Sequence, residues 1–491
     1  MNESPRHLNT STTRQVVILG GGLAGIAAAV KLADRGVAVT LVETRQRLGG
    51  RATSFTDPTT GELLDNCQHV LMGCCTNLLD LYKRLGVEQS IEWHRRLYFM
   101  NLGDAGSLQD LNGDALPIDI LEADDLPAPL HMTRALMAFG QLTLMDKLAI
   151  SRGMLAIMRL GAAGRAALHS TSFAQWLEDH GQTRGAIARF WEPVVISALN
   201  ETPDRCAADY AIHVYQDGFL SSADAYVMGL SRVPLVRLYD AAERVIVEAG
   251  GKVLLSTSAQ SLRFEHERIA SLQLADGTTI EGDAFISALP YDRLAKVCCP
   301  EMYRADQRLR RLDRFTTSPI LGIHLYFDCP AGRPVMELPH LVLTQSPLQW
   351  VFNKGVEGDA SQHLHGVVSA AHDLVDLPAE QITDLIVTEV RKALPMARHA
   401  KLLHARVIKE KRATFAPRPG VDAIRPIATG AIGNLYLAGD WCKTGWPATM
   451  EGAVRSGYLA AAAMLRDAGD DDAEPLVADL PAERMYKLIG G

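Results

Sequence analysis

A chain of 491 residues is long enough to bury two or three cores rather than one. With 47% hydrophobic and 22% charged residues it has the make-up of a soluble globular protein, and a formal net charge of −8 gives no general basic field, which argues against nucleic acid as the main partner. Residues 1–13 lack the apolar core of a signal peptide, no uncharged apolar run is long enough for a bilayer, and the eight cysteines have no C-x-x-C or zinc-ligand spacing, so the expectation is a cytoplasmic protein with reduced thiols and no metal.

The first element in chain order carries the strongest motif. The apolar run Val16 to Leu19 breaks into Gly20-Gly21-Gly22-Leu23-Ala24-Gly25, an Ala-rich helical pattern runs to Arg35, and a second apolar run ends at Glu43. This is a strand-turn-helix-strand unit with G-x-G-x-x-G at its first turn. Gly20 allows the tight turn, Gly22 lets a pyrophosphate approach the backbone, and Gly25 lets the helix pack on the strand. The phosphates then meet the helix N-terminus, with its free N–H groups and favourable dipole, and Glu43 is placed for a ribose hydroxyl.

A second glycine turn follows, Gly49-Gly50-Arg51, where the arginine fork can neutralise pyrophosphate. The stretch Leu64 to Gly73 sets polar Asp65, Asn66, Gln68 and His69 within apolar residues, which suggests a loop facing a site, with His69 a neighbour of cofactor or substrate. From Ile91 to Gly229 the composition changes. Leu130 to Leu168, rich in Met, Leu and Ala, broken by Gly140, Gly153 and Gly161 and carrying five cations, fits amphipathic helices. Their apolar stripe is either core or a surface that dips into a lipid interface. Helical character continues from Ala174 to Asn200, and Tyr215 to Tyr226 has the look of a loop.

Pro234 to Ala249 is helical and closed by Gly250-Gly251; the short strands after it, through Asp283 to Leu289, are expected to complete the nucleotide domain's sheet, with Val253 beside the adenine. Glu301 to Ala416 is a second insertion, with β-type runs at Ile320 to Phe327, Leu341 to Leu343 and His365 to Ala370 and a helix from Ala379 to Ala393. Finally Asn434 to Leu437 is an apolar strand leading to Gly439 and Asp440, and an Ala-rich helix begins near Thr449 and Met450. Asp440 suits a polyol hydroxyl, and the helix start suits negative charge on a reduced flavin. A dinucleotide with a ribityl chain accounts for both ends of the sequence, so the expected cofactor is FAD rather than NAD.

The Gly20 to Gly25 turn, Glu43, Gly49-Gly50-Arg51 and Gly439-Asp440 resemble the FAD-dependent amine oxidase and phytoene desaturase superfamily over nearly the whole chain. Within it, DNCQHVLMG, WEPVVISALN and AGDWCKTGWPATMEGAVRSG look most like the hydroxysqualene dehydroxylase family, also called squalene-associated FAD-dependent desaturases, with Cys67 and Cys74-Cys75 as departures. The resemblance implies α/β and α+β architecture. A discontinuous Rossmann-like FAD-binding domain (residues 14–90, 230–292 and 425–468) carries an inserted mixed-sheet substrate domain (91–229 and 293–424), the first part of which forms a helical cap that can face a membrane. Residues 1–13 and 469–491 are expected to be flexible tails. The family's cofactor role maps onto Gly20, Gly22, Leu23, Ala24, Gly25, Glu43, Gly50, Arg51, Gly439 and Asp440, and onto His69, Val253, Thr449 and Met450.

The implied reaction is reductive removal of the allylic hydroxyl of hydroxysqualene to give squalene on the route to hopanoids, with hydride from reduced flavin and Glu192, Asp217 or His69 as the acid. The expected partners are a C30 isoprenoid substrate, an electron donor the sequence does not identify, a membrane surface met peripherally, and the upstream enzyme that forms hydroxysqualene. A polyisoprenoid desaturase running the flavin in the opposite direction, and a non-catalytic flavin-bearing prenyl-lipid carrier, are the competing readings. An amine oxidase is less favoured, because no aromatic pair can be assigned as an amine cage.

Overall fold

The computed structural model describes residues 15–103, 116–357 and 361–490, so the expectation for residues 1–13 falls outside the described residues. Five short parallel strands form the nucleotide sheet, in the order Lys252–Leu254, Val39–Val42, Val16–Leu19, Ala284–Ser287 and Leu435–Leu437. The three central strands are buried throughout and apolar except for Thr40 and Ser287, as suits a sheet covered on both faces. The helices Leu23–Ala33 and Met450–Asp467 pack on one another beside it. Segments from the beginning, middle and end of the chain thus share one core, and the motif turns gather at the carboxyl ends of the strands, where open α/β sheets bind ligands.

The expectation that all the strands after Gly251 complete this sheet is corrected. Only Lys252–Leu254 and Ala284–Ser287 join it, while Ala259–Glu265, Arg268–Leu274 and Thr279–Glu281 form a separate antiparallel sheet. Their alternation of buried and exposed residues suits a sheet with one solvated face, not a doubly covered one.

The substrate domain is built on a seven-stranded mixed sheet, in the order Leu402–Phe415, Thr317–Asp328, Ser361–Val368, Trp350–Glu357, His340–Thr344, Leu97–Asn101 and Asp119–Leu121. The helix Ala379–Ala393 covers one face through Ile382, Ile386 and Val390. Two of these strands come from the segment expected to be helical cap. The cap proper contains Thr133–Ala138 and Leu144–Ala166, the latter opened by a Thr143/Asp146 capping box and kinked at Gly161, where φ is +61°. Gly140 does separate the two helices, but Gly153 does not break the second: a Cβ there would come 2.9 Å from the Trp191 ring, so the glycine allows close packing.

Tyr215 to Tyr226 is not simply a loop. The helix Ala208–Tyr215 continues as a π-helical turn, Gln216–Leu220, and a second π-helical turn lies at Ile187–Trp191. The C-terminal stretch is corrected too. Asp470 and Ala473 are buried, Arg35 and Arg455 pair with Asp470 and Asp479, and a last helix spans Arg484–Gly490. An acid-rich tail stays loose only while its charges lack partners, and here cations from distant elements supply them. All eight cysteines are free thiols. Among the described residues no helix is long and apolar enough to cross a membrane, and no group of three or more His, Cys, Asp or Glu is placed to hold a metal ion.

Candidate functional site

Backbone proximity shapes the turn after Leu19. Gly20 has φ +100°, and a Cβ on Gly25 would lie 1.9 Å from the Gly20 carbonyl oxygen, so helix and strand approach this closely only with glycine. Gly22 faces the second turn: a Cβ on Gly50 would come 2.9 Å from Gly22 Cα. The helix Leu23–Ala33 has Gly22 as its N-cap, no capping side chain and no acid in its first turn, which leaves its first N–H groups and its dipole to an anion. These two glycine turns form a cradle that side chains would fill, and it fits a pyrophosphate.

Gly20, Gly22, Leu23 and Ala24 line a cavity of about 1230 Å³, with Gly25 behind them. This exceeds the roughly 300–1,000 Å³ usual for a small-ligand pocket and leaves room for a dinucleotide together with a second molecule. Glu43, at the end of its strand, accepts hydrogen bonds from the backbone N–H of Gly21 at 2.7 Å and of Arg45 at 2.8 Å. A carboxylate has about four acceptor directions, so two remain for ribose hydroxyls. Val253 is not in the cavity wall; it pairs in register with Leu41 and packs into the core, while Thr257 and Ser258 further along line the cavity.

Gly50, Arg51, Gly439, Asp440, Thr449 and Met450 join the same wall. Arg51 donates from Nη2 to Asp440 Oδ1 at 2.5 Å and from Nη1 to the Ala413 carbonyl at 2.8 Å. The two ends of the chain therefore meet in an ion pair across the cavity floor. Burial lowers the Arg51 pKa, but the Asp440 carboxylate more than offsets this and keeps the guanidinium charged. Thr449 caps the helix Met450–Asp467 by accepting from the Gly452 N–H, and the first-turn acid, Glu451, accepts from the N–H groups of Asn77 and Leu78.

The three candidate acids separate. His69 lines the cavity, and its Nδ1 lies 3.0 Å from the Cys67 carbonyl oxygen. A carbonyl only accepts, so Nδ1 carries the hydrogen and Nε2 the lone pair. Burial lowers the His69 pKa against the opposing pull of that hydrogen bond, so the ring is a neutral base. Asp217 also lines the cavity, but it is ion-paired with Arg165 at 2.9 Å and lies 3.0 Å from His213 Nδ1. Glu192 does not reach the cavity, although its neighbours Pro193 and Val194 do; burial, helped by Asp204, raises its pKa within the cap. Cys67 lines the cavity as a thiol, pushed up to about 12 by burial.

One residue in this wall was missed from the sequence. Glu410, on the long strand Leu402–Phe415, faces the loop that carries His69, with Asn66 Nδ2 3.4 Å away as its hydrogen-bond contact. The strand's charged run, Lys409 to Arg412, hides the pattern, although the alternation of Arg406, Ile408, Glu410 and Arg412 was there to find. Away from the nucleotide turns the cavity is mainly apolar, walled by Phe99, Met154, Phe190 and Phe219 among others, and both π-helical turns contribute to it, as such turns often do at functional sites.

Comparison with known proteins agrees with this geometry. The sequence model for flavin containing amine oxidoreductases matches residues 23–465. The chain is 27% identical over 472 residues to the 15-cis-phytoene desaturase of Synechococcus elongatus, covering 92% of this chain and 96% of that protein. It is 24% identical to the zeta-carotene desaturase of Arabidopsis thaliana, covering 94% and 86% respectively. A solved putrescine oxidase variant superposes with a TM-score of 0.70 at 18% identity, over 92% of this chain and 99% of that one, which shows the shared fold. The chain thus belongs to the flavin-containing amine oxidoreductase family and is an FAD-dependent oxidoreductase.

Proposed function

We propose that this protein desaturates a long polyisoprenoid. The observation that carries the reading is His69, a neutral imidazole whose Nε2 lone pair is available where the nucleotide frame meets an apolar chamber. When bound, FAD supplies the two-electron group that takes up hydride. The glycine turns and the start of the helix Leu23–Ala33 hold its pyrophosphate, Glu43 its ribose, and Asp440 its ribityl chain, with Arg51 adding positive charge beside them. His69 accepts at Nε2 the proton lost from the neighbouring carbon, whose C–H electron pair becomes the new π bond. The apolar walls hold the chain extended and exclude water. Relatives that carry phytoene and zeta-carotene desaturase names support this direction over the dehydroxylation expected from sequence. Incubating oxidised holoprotein with polyisoprenoid hydrocarbons and weighing the products tests it: a product lighter by two hydrogens is expected.

Glu410 favours a second reading, the removal of an allylic hydroxyl from hydroxysqualene. A hydrocarbon offers nothing to a carboxyl group, whereas a hydroxyl could bind one, and Glu410 is better placed than Glu192 to assist its departure as water. Glu410→Gln distinguishes the two. It should leave desaturation largely intact and should cripple dehydroxylation.

The same chamber supports peripheral membrane association. Leu144, Met145 and Leu148 are 68%, 62% and 50% exposed. Leu130 and Met137, also exposed, reach into the cavity wall, with Arg134 and Arg152 nearby for anionic head groups. An exposed apolar patch at the mouth of an apolar chamber suits a substrate drawn from lipid. Replacing Leu144, Met145 and Leu148 with Ser is expected to reduce co-sedimentation with anionic vesicles; unchanged co-sedimentation would remove the patch from this role.

A further inference from the structure

We propose that the C-terminal helix Arg484–Gly490 is a wall of the substrate chamber and that Ile489 limits the length of isoprenoid accepted. This rests on the isoprenoid reading above. The segment leading to the helix is fastened stepwise along the molecule. Arg35 Nη1 pairs with Asp470 at 3.1 Å, Val477 N–H donates to Asn77 Oδ1 at 3.0 Å, and Arg455 pairs with Asp479 at 2.5 Å. The last fastening is Glu483, whose two carboxylate oxygens accept from the backbone N–H groups of Ala128 and Ala223, each at 2.8 Å, while its own N–H donates to the Ser221 carbonyl. Those contacts lie on two cap loops beside cavity-lining residues, Pro129 and Leu130 on one and Phe219 and Leu220 on the other. One carboxylate thus ties the chain end to both sides of the chamber.

Beyond that clamp the helix has two faces. Tyr486 and Ile489, one turn apart, pack inward with the cap core, while Leu488 points outward and is 77% exposed. Ile489 lines the cavity directly, and Gly490 sits so close to Met158, another lining residue, that a Cβ there would come 2.8 Å from its carbonyl oxygen. A wall fastened by its own terminal segment and packed on the cap can be enlarged or filled without touching the glycine turns, Glu43, Arg51 or Asp440. A bulkier residue at 489 takes volume from the chamber, and the loss falls on the longest chains.

The test measures retention of twenty-, thirty- and forty-carbon linear isoprenoid hydrocarbons by FAD-loaded protein in detergent, for the native chain, Ile489→Trp, Ile489→Phe, Ile489→Ala and the outward control Leu488→Ser, with flavin content and Tm recorded for each. Ile489→Trp is expected to weaken the longest ligand the native protein holds by about tenfold or more relative to the shortest. Ile489→Ala is expected to shift preference the other way, and Leu488→Ser to change nothing. Should the Trp variant lose its flavin, Ile489→Phe decides. If the native protein orders the ligands by length and every flavin-containing variant keeps that order, the wall assignment is overturned. If the native protein retains none of the hydrocarbons, the isoprenoid reading itself fails.

Discussion

Replacing His69 with Phe is expected to lower turnover by about 10²–10⁴-fold, the usual contribution of a positioned acid or base, while flavin content stays near that of the native protein. The residues assigned to the dinucleotide, from Gly20 to Glu43 and from Asp440 to Met450, do not include the imidazole edge that carries Nε2, so binding and chemistry should separate at this position. The pH profile adds a check that a purely structural role would not produce. A base must be unprotonated, and burial holds the His69 pKa below its ordinary value near 6.5. Turnover should therefore be flat from neutral pH down past about 6.5 and should fall only at lower pH, wherever protonation overtakes the ring. Stopped-flow flavin reduction across that range measures it, and a rate that already halves near the ordinary histidine pKa would contradict the assignment.

The second large effect is expected in acid stability. Beneath the His69 loop, strands Thr317–Asp328 and Ser361–Val368 bring together three buried imidazoles. His324 Nε2 lies 2.9 Å from the Asp65 carbonyl oxygen, its Nδ1 lies 2.8 Å from His363 Nε2, and its ring stacks on His365 with centroids 3.9 Å apart. Since the carbonyl only accepts, His324 donates from Nε2 and receives the His363 hydrogen at Nδ1, which requires the His324 ring to be neutral. Burial lowers His324 to about 4, His363 to about 3, and His365 well below its ordinary value; Lys354 works in the same direction, and Asp65 and Asp57 oppose it at His324.

These folded-state pKa values lie below those of the unfolded chain, so the unfolded state binds more protons as pH falls. The stabilisation is complete above about pH 6.5 and is lost progressively from there down toward the folded values. At about pH 5 the depressed pKa values of His324 and His363 each correspond to about 2 kcal/mol, a large share of the stability of a typical domain, and His365 acts in the same direction. Urea midpoints should drop steeply between about pH 7 and pH 5, and His365→Phe, which removes one protonation site, should flatten that slope. A midpoint independent of pH over this interval would contradict the account. Because His324 holds the Asp65 carbonyl, flavin release should accompany the loss.

What was legible in the sequence was what local chain geometry dictates. The turn Gly20 to Gly25 needs its glycines whatever surrounds it, and Glu43 and Asp440 announce themselves as acids following apolar strands. The division of the nucleotide domain into separated segments came from the family resemblance rather than from the strands themselves. Legibility failed where tertiary context supplied the deciding energy. Leu402–Phe415 carries a charged run that suggests a loop, and only pairing with Thr317–Asp328 along most of its length makes it a strand. The run Asp470 to Asp472 suggests a solvated tail until Arg35, more than four hundred residues earlier, meets it. Glu192 looked catalytic because it stands in a distinctive segment, but helix phase turns Pro193 and Val194, not the carboxylate, toward the cavity. A π-helical turn such as Gln216–Leu220 has no periodicity of its own to detect.

The proposed desaturation moves electrons from a long isoprenoid into the flavin. The most direct measurement is anaerobic mixing of oxidised holoprotein with a polyisoprenoid hydrocarbon, following flavin absorbance and the mass of the product together. Bleaching of the flavin is expected in step with the appearance of a product two hydrogens lighter. A flavin that stays oxidised with every hydrocarbon, but that when pre-reduced is reoxidised by hydroxysqualene with formation of squalene, would contradict it.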